Sequence, residues 1–137
     1  MKKSEVLESL KAKGAVYTNM VNMRKYIIGH LCNASNELGD ILPEYYVNQE
    51  DGISAHRFIA NGHNLVVNIS DASPGLKVSY NFVMGAKHIA IAEFKVDEGA
   101  NISQIDIDLR HGLNLNGVKF SVDNFDELHL LLLDHIL

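Results

Sequence analysis

The run His56-Arg57-Phe58-Ile59-Ala60-Asn61-Gly62-His63-Asn64-Leu65-Val66-Val67 decides how this chain folds. Two apolar-rich stretches of alternating character flank Asn-Gly, the dipeptide best suited to a two-residue turn with both central residues at positive φ. Such a turn pairs Ala60 with His63, Phe58 with Leu65 and His56 with Val67. Partners directly opposite share a face, so His56 is predicted beside Phe58, Leu65, Val67 and Ile69 on the apolar side of a hairpin.

Downstream the period of two continues. After a turn at residues 71–75, Leu76, Val78, Tyr80, Phe82 and Met84 alternate with polar neighbours. A loop at Gly85-Ala86 sets Phe82 against Ile89, Tyr80 against Ile91 and Val78 against Glu93, which places Glu93 inside. A one-residue slip sends it to the other face. The strand over 87–96 is apolar on both sides and reads as central. Ser103, Ile105, Ile107, Leu109, His111, Leu113 and Leu115 then alternate with Gln104, Asp106, Asp108, Arg110, Gly112 and Asn114, with a bend at Gly112 and a second hairpin signal at Asn116-Gly117. A helix over 123–137 closes the chain, capped by Asp123 or Asn124 with Glu127 following. Phe125, Leu128, Leu132 and Ile136 form its inner stripe. Leu130, Leu133 and Leu137 form a second apolar edge, and His129 and His135 read as surface neighbours.

Upstream the period is helical. Ser4 is placed to cap a helix from Glu5 to Lys13, with Gly14 as its stop. A second helix carries Val16, Met20, Met23, Ile27, Leu31, Ala34 and Leu38 at spacings of three and four, widened by Tyr17, Val21, Ile28 and Cys32. That stripe suits a core, or a coiled-coil-like dimer seam where the helix runs past the core. Residues 40–52 read as a connecting loop. The expected fold class is α+β, with two N-terminal helices, an antiparallel meander sheet of about six strands and a C-terminal helix. The expected organisation is one domain over 1–137, with a helical part at 1–39, the sheet at 53–122 and the last helix at 123–137.

Composition fits this reading. The 137 residues are 47% hydrophobic and 21% charged with two prolines, a globular balance. No apolar run approaches the length of a membrane span, and the first residues lack the apolar core of a signal peptide, so a cytoplasmic location is expected. Cys32 is the single cysteine, which excludes an intramolecular disulfide. Lysine and arginine total 12 against 17 acidic residues, a net charge of −5. Residues 1–50 hold six of each sign, and the excess of acid falls in the second half. Nucleic acid and anionic lipid bind chiefly through cations, so this balance favours a neutral or basic partner.

The common catalytic and phosphate-binding motifs are absent, and no cofactor or metal site is expected. Cys32 has no adjacent cation and reads as packing. Asp106 and Asp108, roughly 7 Å apart on one strand face, fit a solvated face beside Arg110 better than a metal site. The histidines are the unusual feature. His56 and His111 fall on apolar faces, and with Glu93 and Tyr80 they are the candidates for an acid–base site, because burial moves such groups toward neutrality. The plainer reading makes each a hydrogen-bonded core or rim residue.

Residues 77–80, Lys-Val-Ser-Tyr, followed by Gly85-Ala-Lys-His-Ile-Ala-Ile-Ala-Glu-Phe-Lys-Val-Asp-Glu, resemble the first hairpin of the transcriptional positive cofactor four family. Gly117-Val-Lys-Phe-Ser-Val-Asp-Asn-Phe-Asp-Glu-Leu resembles that family's last strand entering its C-terminal helix. The resemblance covers 76–136 and implies four antiparallel strands, a helix-mediated homodimer and single-stranded DNA bound across the strands. The residues here that match such a surface are Lys77, Lys87, Phe94, Lys95 and Arg110.

Three functions follow as expectations. The first is a non-enzymatic binding or regulatory protein that acts through protein contacts as a homodimer, with Leu130, Leu133 and Leu137 at an interface. The second is a single-stranded nucleic-acid module. The third is a small-ligand pocket or acid–base enzyme using His56, His111, Glu93 and Tyr80.

Overall fold

The computed structural model describes residues 2–48, 54–107 and 119–137, with residues 48 and 104–107 described by their backbone. The chain begins with one helix, α1 (Lys3–Ile41), where two were expected. A mid-helix glycine costs only about 1 kcal/mol relative to alanine, and a 39-residue helix absorbs it. Thr18 Oγ1 donates to the Gly14 carbonyl at 3.0 Å within the uninterrupted turn. The helix starts at Lys3 rather than after Ser4, and the Glu5 carboxylate accepts from the Lys2 N–H at 3.4 Å. It ends before Pro43, with Leu42 already extended, because a residue preceding proline is driven out of the helical region.

Seven strands follow: β1 (Tyr46–Asn48), β2 (Ala55–Ala60), β3 (His63–Ala72), β4 (Gly75–Met84), β5 (Lys87–Val96), β6 (Asn101–Ile107) and β7 (Phe120–Ser121). They form one antiparallel meander in chain order. The strand β1, in a stretch read as loop, raises the count above six; it pairs Val47 with Phe58. A 3-10 turn at Val122–Asn124 leads into α2 (Phe125–Ile136). Asn124, one of the two expected residues, is the N-cap of α2, but its side chain caps no N–H of that helix; the 3-10 turn before it is capped by Ser121, whose Oγ accepts from the Asp123 N–H at 3.2 Å, while Asn124 Oδ1 accepts from the Ser121 N–H at 2.7 Å. The described part of the chain is α+β, and no helix among its described residues is long and apolar enough to cross a membrane.

The Asn61-Gly62 turn takes positive φ at both residues, 50° and 79°, and the register is His56↔Val67, Phe58↔Leu65 and Ala60↔His63, as the sequence predicts. The β4–β5 hairpin begins as expected, with Phe82↔Ile89. A bulge then inserts one residue of β5 between the Tyr80 and Asn81 positions, giving Tyr80↔Ala92, Ser79↔Glu93 and Val78↔Phe94. Beyond it every side chain of β5 changes face. Phe94 enters the core and Glu93 leaves it, because a phenyl ring gains about 2–3 kcal/mol from burial whereas a buried carboxylate needs a partner. The strand predicted over 103–115 is present as β6 to Ile107; its remainder, with the Asn116-Gly117 turn, lies outside the described residues.

The core lies between the inner face of the sheet and the two helices. From α1 it takes Met20, Met23, Ile27, Leu31 and Leu38; from the sheet Phe58, Leu65, Val67, Leu76, Val78, Tyr80 and Phe94; from α2 Phe125, Leu128, Leu132 and Leu133. Only the second part of α1 takes part. Residues 2–15 are all exposed, but Ser9, Ala12 and Lys13 still border the β3–β4 turn, so the arm that stands clear of the body is the first two turns, about 10 Å at 1.5 Å per residue.

Candidate functional site

Two features carry chemistry: a polar cluster sealed in the core, and the projecting arm. The cluster forms because β2 presents His56 and Phe58 inward, β4 presents Tyr80, and α2 lays His129 over them. Sequence periodicity places His129 on the surface. The structure buries it completely, one residue along from Leu128 on the same inner face. Its signal was its place in the row Phe125, Leu128/His129, Leu132, which helical spacing puts against the sheet.

Tyr80 Oη lies 2.6 Å from His129 Nδ1. Burial raises the Tyr80 phenol well above its ordinary value and lowers His129 to about 3, with His56 nearby adding to the effect. Both groups are therefore neutral at pH 7, the phenol donates, and the imidazole proton resides on Nε2. Nε2 has no hydrogen-bond partner among the described residues. The Phe58 ring stands edge-on to the imidazole, with centroids 5.8 Å apart.

A second chain of contacts crosses from α1 to β2. Ser35 Oγ donates to the Leu31 carbonyl at 2.8 Å and accepts from Tyr45 Oη at 2.8 Å. His56 Nε2 is 3.4 Å from the same oxygen. The serine proton is committed to a backbone carbonyl, so His56 faces a lone pair and must itself donate. That is the reverse of a serine activated by a histidine base. Burial lowers His56 to about 4 and also raises Tyr45. His56 is 4% exposed and His129 is sealed, so no substrate reaches either from solvent.

Of the four acid–base candidates, the three among the described residues do not come together at one site. His56 and Tyr80 share the inner face, with Phe58 and His129 between them. Glu93 sits on the outer face, 3.6 Å from Lys77. His111 lies outside the described residues.

The strand candidates for nucleic acid among the described residues are also separated. Lys77 and Lys95 are cross-strand partners on the outer face, whereas Lys87 begins β5 at the far end of the strand. Phe94 is buried against Tyr80 and Phe125 and offers no ring for stacking, for the bulge already described. Arg110 lies outside the described residues. Of the three leucines on the second edge of α2, Leu133 is part of the core, Leu130 packs partly against it, and Leu137 is exposed, as is Leu131. The burial of Leu133 follows from α2 lying closely between sheet and α1.

The arm carries uncovered apolar side chains at a regular spacing. Leu7 and Leu10 are 54% and 57% exposed, and Val6 and Tyr17 are exposed beside them. Lys3, Leu7, Leu10, Gly14 and Tyr17 recur at four, three, four and three, which keeps them on one side. At the root of the arm the core opens into a groove of about 520 Å³ between α1 and the β3–β4 turn, lined by Ala12, Val16, Tyr17, Met20, Asp71 and Pro74 among others. Arg24 and Asp71 form an ion pair at this end, and Asn19 Nδ2 donates to the Glu98 carbonyl at 3.0 Å, fixing the β5–β6 turn beside the helix.

Comparison with known protein-family models, curated proteins and solved structures finds no match to this chain.

Proposed function

We propose that this protein is a non-enzymatic binding module that acts through protein–protein contacts and self-associates. The observation that supports this best is the arm. The first turns of α1 leave Val6, Leu7 and Leu10 uncovered, an arrangement that costs free energy in water unless a partner covers it. The sealed histidines support the non-enzymatic part, because both lie out of reach of a substrate. The test is the solution mass by light scattering across protein concentration. A particle of twice 15.2 kDa that becomes monomeric in a Leu7→Glu/Leu10→Glu variant supports the proposal; a 15.2 kDa particle throughout the range overturns self-association.

A second reading, single-stranded nucleic-acid binding, draws on Lys77 and Lys95 lying opposite one another on the outer face. It predicts salt-sensitive binding of a labelled oligonucleotide that Lys77→Glu or Lys87→Glu weakens. Glu93 beside Lys77 and the acidic balance of the chain weigh against it, and an oligonucleotide that fails to bind at low ionic strength removes it.

A further inference from the structure

The groove under the β3–β4 turn continues the core past the end of the sheet, and from its lining we infer that it binds a small amphiphilic carboxylate, an aliphatic chain ending in one anionic head. Ser9, Ala12, Val16 and Met20 recur at three, four and four and so line one side of α1, the side that farther on carries Met23 and Ile27 into the core. Opposite them stand Asp71 and Pro74 of the turn. Serine and alanine are too short to close the gap, which leaves a groove of about 520 Å³. Sites for small molecules span roughly 300–1,000 Å³ and pair a mainly apolar lining with a few polar groups. This side of α1 lies about a third of a turn from the Leu7–Leu10 stripe, so the inference stands apart from self-association.

The apolar part of the site comes from Val16, Met20 and Pro74. Met20 is 5% exposed and forms the inner end, where an unbranched thioether adapts to an aliphatic chain. Charge sets the head. The two charged side chains of the lining are Lys13 and Asp71. Asp71 is neutralised by Arg24, whereas Lys13 enters no ion pair among the described residues, so one uncompensated cation remains. A single cation selects a monovalent carboxylate over a neutral or cationic head. Ser9, one turn before Lys13, and Ser73 add hydroxyls able to donate to the second carboxylate oxygen. Seven residues separate Lys13 from Met20, about 10 Å along the axis, a span that suits a chain of about eight carbons.

The experiment is an NMR titration of the full chain with octanoate, followed at the methyl groups of Ala12, Val16 and Met20, with 1-octanol, octylammonium and acetate as controls. Octanoate should give saturable shifts at all three methyls, octanol should bind more weakly, and acetate and octylammonium should not bind. Lys13→Glu should weaken octanoate about fivefold, the scale of one exposed ion pair, and leave octanol unchanged. Ala12→Leu fills the groove from an exposed helical position with little change in helix propensity, and should abolish binding of both. Circular dichroism checks that each variant folds. Octanol binding as tightly as octanoate, or octylammonium competing with it, overturns the anionic head. Shifts that never saturate, that survive Ala12→Leu, or that appear at Leu7 and Leu10 in place of the groove methyls overturn the site.

Discussion

Acidification from pH 7 to pH 5 is expected to remove about 3–4 kcal/mol of folding stability through two side chains. An unfolded histidine titrates near 6.5, whereas burial holds His56 at about 4 and His129 at about 3 in the folded protein. Below 6.5 the unfolded chain therefore takes up protons that the folded chain refuses. Stability rises with pH wherever the unfolded state binds more protons, so it is fully present above about pH 6.5 and lost as the pH falls toward 4 and 3. Each histidine loses roughly 1.9 kcal/mol over the two-unit fall, at 1.36 kcal/mol per unit once titration has begun. The sum is a large fraction of the roughly 5–15 kcal/mol that holds a domain of this size together.

The assay is urea unfolding followed by circular dichroism at pH 7, 6 and 5, a window in which free carboxylates remain largely ionised. The midpoint should move steadily to lower urea with acid. His56→Phe should remove about half of the dependence, because the phenyl ring fits the inner face and has nothing to protonate. If the wild-type free energy changes by less than about 1 kcal/mol between pH 7 and pH 5, the two imidazoles are not the neutral, sealed groups described above, and the reasoning fails.

Three further outcomes follow from contacts in the same structure. Tyr80→Phe should cost about 1–3 kcal/mol at pH 7 by leaving a buried acceptor on His129, whereas Tyr80→Phe with His129→Leu should recover most of it; chemical denaturation measures both. Gly75→Ala places a Cβ 1.9 Å from the Val96 carbonyl oxygen, so the start of β4 must move away from the end of β5, at a cost of about 1–3 kcal/mol seen as a lower urea midpoint. Gly29→Ala, exposed in mid-helix with nothing within 4 Å of its new methyl, should raise stability by about 0.5–1 kcal/mol and the melting temperature with it.

The hairpins were legible because their determinants are local. Asn61-Gly62 specifies its own backbone, and register follows from it for six residues on either side. Gly85 did the same for the first residues of its hairpin, until the bulge after Asn81, which no local signal announces: Ile91, Ala92 and Phe94 are all apolar, and only competition for the core decides which of them is displaced. That single inserted residue moved both Glu93 and Phe94 out of their expected sites. Gly14 misled for a related reason, since a propensity penalty of about 1 kcal/mol is small beside the packing of Met20 to Leu38 that drives α1. His129 was misplaced because a polar residue in an apolar row reads as surface unless its partner, Tyr80, is already known to face it.

The two features separate in space, and this separates their energetics. Ser35, His56 and His129 hold the middle and end of α1 and α2 to the sheet, while the groove and arm occupy residues 6–20 and the β3–β4 turn. Protonating the histidines therefore acts on folding of the body and leaves the arm's contacts untouched. Self-association of the kind proposed above stabilises the folded state by mass action, because the unfolded chain presents no ordered helix face. Raising protein concentration should lift the urea midpoint at pH 7 and at pH 5 by the same amount while the interval between the two curves stays fixed. If instead that interval narrows as concentration rises, the interface and the buried imidazoles are coupled, and the dimer must reach further along α1 than the arm.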